Sequence, residues 1–96
     1  MAAYMIARID VTNLEAYRTY AAETPRIAAM FGGRFLVKAG RFEQLEGSGP
    51  DRHVVVEFPD RERALDFYNS REYGEYLPIA LQHSTRDVVI VDGIAE

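Results

Sequence analysis

A tyrosine, an arginine and two carboxylates, Tyr4, Arg34, Glu57 and Asp92, stand at the ends of apolar runs where they could do chemistry together. Arg34 opposite Glu57 makes a charge-assisted pair, and Asp92 beside Tyr4 extends it into a polar row above an apolar floor. A carboxylate that is partly desolvated there has a raised pKa and can act as a general base, while the guanidinium holds an oxyanion or a carboxylate. That makes Glu57 and Asp92 the catalytic candidates, with Tyr4 and Arg34 binding the ligand. The same row can equally be a cross-strand or interface ion pair, because such networks also shift pKa values without catalysing anything.

His53 shares a face with Glu57 but lies four residues away, roughly 13 Å along a strand, so the two cannot form a base and its orienter. It is retained as a ligand-binding candidate because histidine titrates nearest neutrality. His83 falls in the turn before the last strand and is expected in solvent. Tyr17 and Tyr68 are candidates to line a cavity, although most helical tyrosines are core residues whose hydroxyl reaches water. Neither histidine has a second ligand at metal-motif spacing, so no metal site is expected. Gly47-Ser48-Gly49 leads into a strand instead of a helix and reads as a mobile turn, not a phosphate loop.

Positioning these residues requires strands. Tyr4–Asp10, Arg34–Lys38, Arg52–Phe58 and Val88–Asp92 share one odd-even code: one alternating set is wholly apolar, the other apolar in the middle and charged at its ends. Strand side chains alternate between faces, so the code predicts a sheet with one face under a core and a second, half-polar face that still needs cover. The core face is expected to carry Met5, Ala7, Ile9, Phe35, Val37, Val54, Val56, Phe58, Val89 and Val91. The second face would carry Ile6, Leu36, Val55, Val88 and Ile90 with the polar rim.

Thr12-Asn13-Leu14-Glu15 has capping-box spacing and predicts a helix whose apolar positions Leu14, Tyr17, Ala21, Ala28 and Phe31 run up to Gly32-Gly33. Pro25 predicts a kink, or a new start capped by Thr24. Asp60 is the expected cap of a second helix with Ala64, Leu65, Phe67 and Tyr68 as its stripe, and Ser70 of a further piece, with Pro78 bending or splitting it. The order β-α-β-β-α-β, with an added short helix, is the split β-α-β or ferredoxin-like α+β arrangement: a four-stranded antiparallel sheet in spatial order 4-1-3-2.

Ninety-six residues, 48% of them hydrophobic, suit one domain over 1–96. A net charge of −4 without a basic cluster opposes nucleic-acid binding, and the four-strand, two-helix rhythm lacks the stacking aromatics of an RNA-recognition module. No apolar run approaches the roughly 20 residues that cross a bilayer, so no membrane association is expected. With no cysteine there is no thiolate chemistry, and without a secretion signal at Met1–Ala3 the default expectation is a cytoplasmic protein.

The segments Ala3-Tyr4-Met5-Ile6-Ala7, Gly32-Gly33-Arg34-Phe35-Leu36-Val37, Val56-Glu57-Phe58-Pro59, Tyr68-Asn69-Ser70-Arg71-Glu72-Tyr73 and Ile90-Val91-Asp92-Gly93 together resemble the domain-of-unknown-function family 1330 (DUF1330) over nearly the whole chain. The resemblance implies a dimeric α/β-barrel fold related in shape to small monooxygenases, lactone isomerases and stress-response barrels, with no established activity. Members often carry an arginine near the position of Ala80, and its absence here weakens any anion-binding role for that segment.

The expectation is therefore a homodimer joined through the open sheet face, with a small-molecule cavity between sheet and helices and no cofactor. On fold analogy it is a cofactor-independent enzyme acting on a small apolar or carbonyl compound. The alternatives are a non-catalytic ligand-binding or structural dimer and a regulatory effector-binding domain.

Overall fold

The computed structural model describes residues 1–95. In chain order the elements are β1 (Ala3–Val11), α1 (Leu14–Ala29), β2 (Arg34–Lys38), β3 (Arg52–Phe58), α2 (Arg61–Tyr68), α3 (Arg71–His83) and β4 (Ser84–Asp92). The four strands form one antiparallel sheet in the order β2-β3-β1-β4, as the connectivity predicts. Buried Met5, Ala7, Ile9, Val56 and Phe58 on one sheet face meet Tyr17, Tyr20, Ile27, Ala28, Phe67, Tyr73 and Ala80 from the helices. At about 1.5–3 kcal/mol for each large side chain withdrawn from water, this layer drives folding.

The helix starts are set by side chains that accept orphan amide protons. Asn13, not Thr12, caps α1, with its carboxamide oxygen 3.1 Å from the Ala16 amide. Asp60 accepts from Arg63 N at 2.8 Å and Ser70 from Tyr73 N at 3.1 Å, as their positions predict. Both prolines lie inside continuous helices. Pro25 deprives the Ala21 carbonyl of its usual amide partner, and the Thr24 hydroxyl donates to that carbonyl instead at 3.3 Å. Thr24 is thus a buried residue of an unbroken helix, not a cap. Gly32, at φ +78°, ends α1 where only glycine is unstrained, with the Gly33 amide donating to the Ala28 carbonyl at 2.9 Å.

Two departures from the expected pattern decide which side chains face which layer. Phe35 pairs with Val56 but Val37 with Val55, so Leu36 is the extra residue of a bulge. From there on the parity of β2 is reversed: Val37 moves to the open face and is 39% exposed, while Lys38 joins Val54 on the helix side. In β4, Met5 pairs with Ile90 and Ala7 with Val88, so Ile90 and Val88 pack against the core. Val89 and Val91, expected inside, are exposed on the open face. β4 also begins at Ser84, directly after α3, which makes His83 the last helical residue instead of part of a turn. Its carbonyl accepts from the Thr12 amide at 2.8 Å and ties the start of α1 to the end of α3.

Candidate functional site

Beyond the terminal Val11–Ser84 pair, four rows cross the helix-side face of the sheet. One is Arg52, Ile9 and Arg86, and the next is Lys38, Val54, Ala7 and Val88. Phe35, Val56, Met5 and Ile90 form the third, and Phe58, Ala3 and Asp92 the last. Because alanine fills so little of the middle of this face, a cavity of about 40 Å³ remains between Ala7 and the helices. Met5, Phe35, Val54 and Val88 line its floor; Tyr17, Tyr20 and Thr24 of α1, Phe67 of α2 and Tyr73 of α3 close it from above. At about 10–15 Å³ per water-sized position, the space takes a ligand of only a few heavy atoms without rearrangement. Arg52 also lines a wider depression with Val11, Leu14, Ala39 and Asp51.

One end of the cavity is polar and tightly organised. Arg86 donates through Nη1 to the hydroxyls of Tyr17 at 3.2 Å and Tyr20 at 3.1 Å, and through Nη2 to the hydroxyl of Tyr73 at 2.8 Å. The Tyr20 and Tyr73 hydroxyls lie 2.6 Å apart, one donating to the other. The Arg86 guanidinium also stands 5.1 Å over the Tyr20 ring and Arg52 stands 5.3 Å over that of Tyr17, adding cation–π attraction. Burial raises the pKa of Tyr20, and of Tyr17, above the ordinary 10.0, with the neighbouring tyrosine adding to it in each case. Both are therefore neutral donors at physiological pH. Burial works against the Arg86 charge, but the surrounding tyrosine oxygens outweigh it and hold its pKa above that of an ordinary guanidinium.

The row proposed from sequence lies on the opposite face. Arg34 pairs with Glu57 and Glu57 with Tyr4, as expected; Arg34 Nε donates to Glu57 Oε1 at 2.8 Å and Tyr4 donates to Oε2 at 3.1 Å. The next residue of the row is Val91, not Asp92. Asp92 has the opposite parity, pairs with Ala3 and lies 3.9 Å from Arg61 Nε at the start of α2. The bond from Arg34, then that from Tyr4, holds the Glu57 carboxyl below its ordinary value, the reverse of the raised pKa expected for a general base.

His53 is on the open face across from Arg8, with its ring 4.8 Å from that of Phe42, and makes no contact with the cavity. Tyr17 lines the cavity as expected, whereas Tyr68 packs on Tyr73 at 5.4 Å outside it. The residues missed from sequence are Arg52, Arg86, Lys38, Tyr20 and Tyr73. The signal for two of them was available: Arg52 and Arg86 both pair with Ile9, the last buried residue of β1, and so share its face. Among the described residues no group of three or more His, Cys, Asp or Glu could hold a metal ion, and no helix is long and apolar enough to cross a membrane.

A four-stranded antiparallel sheet covered on one face by helices in β-α-β-β-α-α-β order defines a ferredoxin-like protein. The chain belongs to the family described as a domain of unknown function, DUF1330, which it matches over residues 2–94. Comparison with curated proteins gives no match.

Among solved structures it is similar to the RPA0582 protein of unknown function from Rhodopseudomonas palustris, with a TM-score of 0.79 and 16% identity over 99% of this chain and 84% of that one. It is also similar to SnoaB, a cofactor-independent oxygenase from Streptomyces nogalater, with a TM-score of 0.69 and 13% identity over 99% of this chain and 95% of that one. A dimeric ferredoxin-like protein of unknown function from Bacteroides fragilis has a TM-score of 0.57 and 9% identity over 96% of both chains. At these identities the likeness is one of fold.

Proposed function

We propose that this protein is a homodimer that binds a small carbonyl-bearing molecule in the cavity between sheet and helices. The observation that carries the reading is the Arg86 guanidinium, fixed by three tyrosine hydroxyls at one end of a mostly apolar space. A concave, mostly apolar site with a few convergent polar groups is the usual form of a small-molecule pocket: the floor takes the carbon skeleton and the donors orient the oxygen. The open face supports the dimer. Val37, Val55, Ile6 and Val89 form an unbroken apolar row across all four strands, flanked by Arg34, Glu57 and Tyr4 on one side and His53, Arg8 and Asp87 on the other. In this reading the Arg34–Glu57–Tyr4 row sets the register between subunits.

A cofactor-independent enzyme is the second reading, favoured by the rigidity of the donor cluster. Hydroxyl and guanidinium donors that are already aligned stabilise negative charge developing on a bound carbonyl oxygen without reorganising. Likeness to an oxygenase fold adds analogy only. Against turnover, the described cavity lining contains no carboxylate or histidine to act as a base.

Native mass spectrometry of freshly purified protein reports both subunit count and any retained small molecule. The dimer is expected, and Ala7→Leu should abolish ligand retention by filling the cavity, at a cost of about 1–3 kcal/mol from overpacking. A folded Ala7→Leu protein that retains ligand as the parent does would place binding elsewhere.

A further inference from the structure

The polar end of the cavity holds more hydrogen-bond donors than acceptors, and the imbalance identifies the charge of its ligand. This step rests on the reading of the cavity as a ligand site. Arg86 has five N–H groups, of which three reach tyrosine hydroxyls and none reaches a carboxylate. One of the three hydroxyl protons is spent between Tyr20 and Tyr73. The other two meet no acceptor among the described residues. Arg52 adds a buried Nε without a hydrogen-bond partner, and its row places it across Ile9 from Arg86. Lys38, turned to this side by the Leu36 bulge, stands at the edge.

Three cations thus border the cavity, and its described lining contains no Asp or Glu. Asp51, in the outer depression, is exposed and forms no ion pair with Arg52. Tyr17 and Tyr20, whose pKa values burial raises, keep their protons and supply no negative charge. A half-buried guanidinium without an anion is costly, and a neutral carbonyl would accept too few of these bonds.

We propose that the cavity is a site for a short-chain carboxylate, its two oxygens held by Arg86 and Arg52 with a tyrosine hydroxyl, and its few carbons lying over Ala7. A planar carboxylate matches the guanidinium fork, and the small volume limits the chain.

The test follows amide NMR signals of Ala7, Val54 and Val88 while propanoate, the equal-sized neutral propanamide and inorganic phosphate are added in turn. Xenon pressure serves as a probe of the cavity that is blind to charge. Propanoate is expected to bind at least about tenfold more tightly than propanamide, and Arg52→Met should remove about that factor while xenon shifts persist. Arg52 donates no hydrogen bond to the fold through Nε, so the variant is expected to keep the parent spectrum away from the cavity. Equal binding of propanoate and propanamide, or stronger binding of phosphate, in a protein that still admits xenon would overturn the carboxylate assignment and leave the cavity reading intact. Failure of xenon to perturb these signals would remove both.

Discussion

The Tyr17 and Tyr20 hydroxyls each accept from Arg86, and that of Tyr20 also shares a hydrogen bond with the Tyr73 hydroxyl. Burial keeps the hydroxyl protons of both in place by raising their pKa values above 10.0. The folded protein therefore holds protons at a pH where the unfolded chain has released them. Stability from this source is complete below about pH 10 and declines as pH rises above it toward the higher folded values. Ultraviolet absorbance of phenolate should accordingly show these tyrosines titrating only with unfolding, together with loss of near-ultraviolet dichroism. A reversible phenolate signal from Tyr17 or Tyr20 near pH 10 in the native protein would contradict the buried, protonated cluster.

At the scale of elements, legibility depended on whether polar residues within the drawn bounds of a strand marked which face each position took. β1 and β3 alternate cleanly, so the pairing of Tyr4 with Glu57 and of Arg34 with Glu57 followed from sequence. In β4 the run Val88-Val89-Ile90-Val91 is apolar at every position and gives no parity. The informative residue was Arg86, which lies beyond the boundary drawn for that strand and takes Val88 and Ile90 inward with it. The bulge at Leu36 left no mark in the pattern either, because Leu36 and Val37 are both apolar. The two missed phases concealed Arg86 and Lys38 and left the polar row on the open face as the visible candidate.

The glycines after α1 are a further element-level constraint. A Cβ on Gly33 would lie 2.6 Å from Cε1 of the fully buried Phe58 ring, which has no space to retreat. Gly33→Ala should therefore lower stability by about 1–3 kcal/mol, read as a drop in thermal midpoint, whereas Gly74→Ala, with open space around its Cβ, should hold or raise it.

For the whole molecule, the sheet is covered on one face only, and the apolar row Val37–Val55–Ile6–Val89 on the other is a cost to a monomer. In the proposed dimer a second copy would remove that cost by presenting the same row, since a two-fold interface is self-complementary and can set the charged rows of one subunit against those of the other. The cavity and this apolar row lie on opposite faces and share strands but no side chains, so the proposed ligand site and the proposed dimer can be tested separately. Val55→Asp puts an unpaired carboxylate in the middle of the row and should convert the dimer to monomer in light scattering after size exclusion, while the xenon-accessible cavity persists. Arg34→Met and Glu57→Gln act at the edge of the same face and should weaken dimerisation without altering propanoate binding. If instead either edge variant left the dimer intact and reduced propanoate binding, Glu57 and Arg34 would belong to a ligand site and not to the subunit interface.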